Sequence, residues 1–324
     1  MKIIGKWYRN PKKRLMAFLA SCALALSACG TASGDTVESE GETAEGGNRP
    51  VQVVTTIAQI AEPLSVIGGD RVKVVGLMGP GVDPHLYKAT PGDIEKLNAS
   101  DIVFYSGLHL EGNMTEIFAQ IGKSKPVLAI AEAIPEEKLL HDENGQVDPH
   151  VWFDIDLWMI ALDAATQQLK SHSPADAEYF EENKQAYFSQ LEKLKQEAKE
   201  KLSSIPPERR VLVTAHDAFG YFGRMHGIEV VGLQGLSTED EIGISDIQST
   251  IDLLVARKIP AVFVESSVNQ NSIKAVIEGA ANAGQEVKLG GELFSDAMGE
   301  AGTPEGTYLG MYRHNVETIY QALQ

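Results

Sequence analysis

The sequence predicts an α/β protein of two lobes, each a four-stranded, mostly parallel sheet with flanking helices, joined by one long rigid helix. Three observations carry that expectation. From Val51 onward short β-branched runs alternate with helical patterns, eight runs in two groups of four, and strict alternation of strand and helix implies parallel strands covered on both faces. A charged segment with helical spacing separates the two groups. A chain of 324 residues, 43% of them hydrophobic, is long enough for two domains with real cores.

The first group of strands is Val51–Thr55, Val72–Leu77, Ile102–Tyr105 and Val127–Ile130. Between the second and third, Thr90-Pro91-Gly92-Asp93 marks a helix start. Thr90 can cap it, Pro91 suits a first helical position that needs no N–H, and Asp93 faces the positive end of the helix dipole. From Pro174 to Pro206 the residues Tyr179, Phe180, Tyr187, Phe188, Leu191 and Leu194 recur at three- and four-residue spacing, which predicts one helix over 175–204. Its place midway between two alike halves makes it a connector. The second group is Val211–Thr214, Val230–Leu233, Ala261–Val264 and Val287–Leu289. The lobes therefore span 51–174 and 205–324.

Ahead of them lies a targeting segment. Lys12-Lys13-Arg14 precedes an apolar run, Leu15 to Leu26, that is too short to span a bilayer as a mature helix. The run ends in Leu26-Ser27-Ala28-Cys29, which resembles a bacterial lipoprotein signal, with a diacylglyceryl group expected on the sulfur of Cys29. Leu19-Ala20-Ser21-Cys22 fits loosely but would leave an apolar core of only a few residues. Residues 1–28 thus read as a signal peptide; once Cys22 leaves with it, no cysteine pair remains for a disulfide. Residues 30–50 hold five acids, five glycines and almost nothing apolar, too little to offset the entropy of ordering. Residues 29–50 are read as a flexible tether that keeps the body at the extracytoplasmic face of the cell membrane without inserting it.

Residues 1–28 contain six basic residues and no acid, so the rest of the chain sets 22 basic against 45 acidic residues, a net charge of −23. Such a body is unsuited to nucleic acid or an anionic membrane surface, and its field favours cations.

Ligand chemistry appears at four points. Asp83-Pro84-His85 follows the second strand, and Asp148-Pro149-His150 repeats the tripeptide 65 residues later. Proline fixes the backbone beside each histidine, the pre-organisation a ligand site needs. His216 stands at the end of a strand and Asp296 in the loop after the last one, and ligands in open α/β sheets gather outside the carboxyl ends of strands. One Asp-Pro-His alone is more often a turn; the four together suit three imidazoles and a carboxylate around one divalent metal. Glu265 is read as a fifth ligand or, preferably, an acceptor behind a histidine. His109, His141, His172, His226 and His314 lack such context and are read as surface or packing residues.

The Cys29 signal, Gly81-Val82-Asp83-Pro84-His85, Asp148-Pro149-His150-Val151-Trp152, Thr214-Ala215-His216-Asp217-Ala218-Phe219, Phe263-Val264-Glu265-Ser266-Ser267, Leu293-Phe294-Ser295-Asp296 and the long middle helix together resemble the metal-binding solute-binding lipoproteins of ABC importers for manganese, zinc or iron. The resemblance covers nearly all of the mature body. It implies a monomer that binds one metal between two lobes, through His85 and His150 of the first and His216 and Asp296 of the second. It also implies delivery of that metal to a membrane permease driven by a cytoplasmic ATPase. Several manganese binders of this family have a carboxylate where His216 stands, while zinc binders often carry a His- and acid-rich loop in the first lobe. The stretch from Glu111 to Val147 holds one histidine, His141, so Mn2+ is favoured, with Zn2+ the alternative. A zinc hydrolase would need an open position and a base such as Glu265, whereas Asp296 closes the shell and favours binding over catalysis. Adhesion, sometimes attached to the family, is neither supported nor excluded by the residues. Imidazole ligands of ordinary pKa predict metal loss as pH falls through about 6 to 5.

Overall fold

The computed structural model describes residues 49–324, so the signal peptide, Cys29 and nearly all of the tether lie outside the described residues. The first four strands, β1 (Val51–Thr55), β2 (Val72–Gly76), β3 (Ile102–Tyr105) and β4 (Val127–Ala129), form one parallel sheet in the order β2-β1-β3-β4. Register pairs Val53 with Val74, Val54 with Val103, and Phe104 with Leu128. The order reverses between β1 and β3, and parallel strands bring all their carboxyl ends to one edge, where loops can build a site. Helices α1 (Ala58–Gly68), α2 (Pro91–Ala99) and α3 (Thr115–Ile121) follow the first three strands. The start of α2 is the one expected: the Thr90 side chain accepts from Asp93 N, and Asp93 accepts from Thr90 N at 3.0 Å.

An element with no forerunner in the sequence reading is α4 (Ile155–His172), capped by Asp154, whose side chain accepts from Asp156 N and Leu157 N. The expected middle helix is α5 (Ala177–Ser203). Its stripe of Phe180, Tyr187, Leu191, Leu194, Ala198 and Leu202 is buried, and it packs against α1 and α4 on one side of the chain and α9 (Tyr308–Leu323) on the other.

The second group comprises β5 (Val211–His216), β6 (Glu229–Gln234), β7 (Ala261–Glu265) and β8 (Lys288–Leu293), with α6 (Gly220–His226), α7 (Ile244–Arg257) and α8 (Asn271–Asn282) between them. These strands hydrogen-bond as two parallel pairs, β5 with β6 and β7 with β8, and β5 lies beside β7. Strands β5 and β7 run longer than their β-branched cores suggested, so His216 and Glu265 are their last residues. Their side chains alternate between two cores: Leu212, Ala261 and Phe263 join the large core that spans both groups, while Val211, Val213, Val262 and Val264 join a smaller one under α7 and α8. The β7–β8 register shifts between Val262 and Phe263, opposite Gly290, where an added Cβ would lie 2.6 Å from the Phe263 ring. Among the described residues no helix is long and apolar enough to cross a membrane.

Candidate metal centre

His85 stands on the connection from β2 to α2, His150 just before a 3-10 turn over Val151–Phe153, His216 at the end of β5 and Asp296 after β8. All four are buried, and one ligand atom from each lies within 4.8 Å of every other. Asp296 is the hub. Its carboxylate oxygens are 3.3 Å from His216 Nε2, 3.4 Å from His150 Nε2 and 3.9 Å from His85 Nε2, while the His85 and His150 Nε2 atoms are 3.3 Å apart. A tetrahedral shell with metal–ligand bonds of about 2.0–2.1 Å puts its ligand atoms roughly 3.3 Å from one another. Both Asp296 oxygens and His216 Nε2 are buried without a hydrogen-bond partner, a cost a native fold rarely accepts unless something else satisfies the atoms. The donor set is thus the right size, and unsatisfied in the right direction, for one divalent ion.

Behind two of the imidazoles stand carboxylates. Asp148 Oδ1 accepts from His150 N at 2.9 Å and from its Nδ1 at 2.8 Å, which leaves Nε2 to face the cluster. Glu265 repeats this for His216: Oε1 accepts the backbone N–H at 2.8 Å, and Oε2 lies 2.5 Å from Nδ1 at ion-pair distance, off the line of a hydrogen bond. Glu265 thus lies behind the His216 ring and outside the four-residue cluster.

Electrostatics divide the three imidazoles. Burial pushes the pKa of His85 down to about 4 against the pull of Asp296, with His150 and His216 adding to the fall. Burial opposes protonation of His150 too, but the hydrogen bond to Asp148 and the negative charge of Asp296 3.4 Å away outweigh it and raise its pKa to about 9. His216 is raised well above its ordinary value, because Glu265 and Asp296 together overcome burial. Asp296 falls well below the usual carboxylate range; His216 and His150 overcome a burial cost that acts alone in the other direction. Without a metal the cluster holds imidazolium–carboxylate pairs, and a cation entering it must displace those protons.

The backbone around the site is fixed by groups that sequence reasoning did not single out. Tyr221 Oη donates to Asp148 O (2.9 Å), Tyr308 Oη to Trp152 O (2.6 Å) and Tyr312 Oη to Phe153 O (3.1 Å), so three tyrosines after the middle helix hold the segment that carries His150. Trp152 Nε1 (3.2 Å) and Gln59 Nε2 (3.1 Å) both donate to the carbonyl of Ser295, next to Asp296. The only local signal for any of these was the Asp two residues before each Pro-flanked histidine. Of the five histidines set aside, His226 is a packing residue, with Nε2 2.8 Å from Tyr312 Oη; His314 reaches the Glu292 carbonyl and His141 the Glu136 carboxylate.

Residues 53–322 match the family described as ZnuA, zinc-uptake complex component A, periplasmic. The chain is 49% identical over 314 residues to the manganese-binding lipoprotein MntA of Bacillus subtilis (strain 168), covering 97% of this chain and 100% of that protein. It is 46% identical over 305 residues to the zinc-binding protein TroA of Treponema pallidum (strain Nichols), covering 94% and 98%. The solved structure of the periplasmic zinc-binding protein TroA from Treponema pallidum shares the fold with a TM-score of 0.83 at 48% identity, over 85% of this chain and 99% of that one. With nearly the whole described body matched, and relatives near half identity along their full length, the chain belongs to the family of metal-binding solute-binding proteins of ABC importers.

Proposed function

We propose that this protein captures one divalent transition metal, Mn2+ in preference to Zn2+, and delivers it to an ABC permease with a cytoplasmic ATPase. The observation that carries the reading is the convergence of His85, His150, His216 and Asp296 on one buried point. Each is a ligand, with Nε2 the coordinating atom of the histidines. Asp148, by a hydrogen bond, and Glu265, at ion-pair distance, face the Nδ1 atoms of His150 and His216, so that Nε2 is left to the ion. The metal is cargo, so the site must both close and reopen. In a zinc hydrolase three protein ligands would leave the fourth position to water; here Asp296 occupies it, which favours binding over catalysis.

Manganese is favoured by the kinship with MntA and by a first half without a His-rich loop. Zinc remains the alternative because three imidazoles suit it intrinsically, and because TroA, nearly as similar, is named for zinc. The body, lobes 51–174 and 205–324 around a connecting helix at 175–204, works as a monomer. A lipid on Cys29 and the 29–50 tether hold it at the outer face of the cell membrane. Metal analysis of protein isolated from cells under defined manganese and zinc supply decides the ion, and titration of His85→Ala tests the site: affinity equal to the parent for both ions refutes it. Cell fractionation of Cys29→Ser tests the anchor, with release of the mature body from the membrane expected.

A further inference from the structure

Three of the four clustered side chains are supported from behind: His150 by Asp148, His216 by Glu265, and Asp296 through the Ser295 carbonyl held by Gln59 and Trp152. His85 is not. It lies on the long connection between β2 and α2 beside Leu86, which is 51% exposed, and its Nδ1 has no hydrogen-bond partner among the described residues. Asp83 precedes His85 as Asp148 precedes His150, yet it serves the ring differently. Its Oδ1 accepts from His85 N at 2.9 Å, but its Oδ2 accepts from Thr238 Oγ1 at 2.6 Å.

Thr238 comes from the other half of the chain, on the connection between β6 and α7. The next residue, Glu239, accepts from Asn113 Nδ2 at 3.0 Å, and that same nitrogen donates to the His85 carbonyl at 2.8 Å. Two consecutive residues thus grip the backbone on both sides of His85. Their own loop is braced at its base by Gln234, whose Nε2 donates to the carbonyls of Thr238 (2.8 Å) and Asp240 (2.5 Å).

We propose that residues 235–243, from the second half of the chain, form a strap that positions His85 and sets the rate at which bound metal leaves, with Thr238 and Glu239 as its positioning residues. The inference rests on the reading of His85 as a ligand. For a four-coordinate ion to depart, one ligand must let go first, and the one without support behind its ring does so at least cost. Swinging His85 outward breaks the Thr238–Asp83 and Asn113–Glu239 hydrogen bonds, so these form part of the barrier to release.

The test is dissociation of Mn2+ from the loaded protein into excess chelator, followed by stopped flow. Thr238→Val keeps the shape and removes the donor to a carboxylate, and release is expected about tenfold faster. Thr238→Ser restores the hydroxyl and the parental rate. Glu239→Ala accelerates release as well and carries the same test should Thr238→Val fail to fold. The electron paramagnetic resonance spectrum of bound Mn2+ stays at parental values, since no ligand is lost. Release from Thr238→Val at the parental rate, or Thr238→Ser as fast as Val, overturns the strap alone. A parent that binds neither Mn2+ nor Zn2+ overturns the site, and the strap with it.

Discussion

Metal uptake by this protein should expel close to two protons at pH 7. With a pKa of about 9, His150 is ~99% protonated at that pH, and His216, raised well above its ordinary value, is charged as well. His85, lowered to about 4, brings no proton. Three ordinary imidazoles of pKa 6.5 would each be roughly 25% protonated and would together release less than one. The carboxylates that orient the rings therefore also move the competition with protons upward. The window of pH 6 to 5 that ordinary imidazoles predict is only its lower part, and affinity should still climb between pH 7 and 9. Titration calorimetry with Mn2+ in buffers of different ionisation enthalpy reads the proton number directly. Glu265→Gln isolates one of the two protons: Glu265 is the strongest group raising His216, so its neutralisation should lower the release at pH 7 to about one. A parent that releases less than one proton, or a Glu265→Gln variant that releases as many as the parent, refutes the reasoning.

Asp296→Asn keeps the shape of the hub and removes its charge; Mn2+ binding should fall more than Zn2+ binding, because the harder ion depends more on oxygen, and competition titration checks it. Burial holds His226 neutral with a pKa lowered to about 4. Its contribution to stability is therefore complete above about pH 6.5 and drains away as pH falls toward 4, by on the order of 3 kcal/mol; urea unfolding of His226→Gln should lose that much less than the parent across the interval. Trp152→Phe removes the indole donor to the Ser295 carbonyl and should weaken metal binding about five- to tenfold with little change in fold, as seen by circular dichroism. The buried stripe of α5, wedged between α1, α4 and α9, resists bending, so solution scattering of metal-free and loaded protein should differ only slightly.

Much of this was legible along the chain because its signals are local. β-Branched runs of four to six residues announced the first seven strands, Thr90-Pro91-Gly92-Asp93 a capped helix, and Pro-flanked histidines a fixed backbone beside two of the clustered imidazoles. By contrast β8, Lys288–Leu293, has no β-branched residue and begins only where the expected run Val287–Leu289 was ending. What stayed hidden lies in pairings across long separations. The strand that ends at His216 was expected to stop at Thr214, because Ala215-His216 carries no β-branched residue; the ladder continues there through His216 opposite Gln234, in a position that is fully buried. Helix α4 follows directly on the 3-10 turn after His150, and its N-cap, Asp154, is one acid among many. The tyrosine hydroxyls that hold residues 148–153 come from 73, 156 and 159 positions along the chain, where no local periodicity can register them.

That last group changes how the site divides. The order of the chain places His85 and His150 before the middle helix, and His216 and Asp296 after it, which suggests two ligands facing two. The hydrogen bonds suggest three and one. The backbone on either side of His150 is fastened by Tyr221 at Asp148, Tyr308 at Trp152 and Tyr312 at Phe153, the Trp152 indole donates to the residue before Asp296, and Phe153 stacks on Phe219 with ring centroids 4.5 Å apart. His150 is therefore tied by hydrogen bonds to the same half of the chain that carries His216 and Asp296. His85 is held through its backbone, by Asp83 at its N–H and Asn113 at its carbonyl, with Thr238 and Glu239 behind those two, and nothing fastens its ring. A site built as a standing triad and one movable imidazole can hold an ion with four ligands and give it up by moving one, which is what a carrier of cargo must do and what a structural metal site avoids.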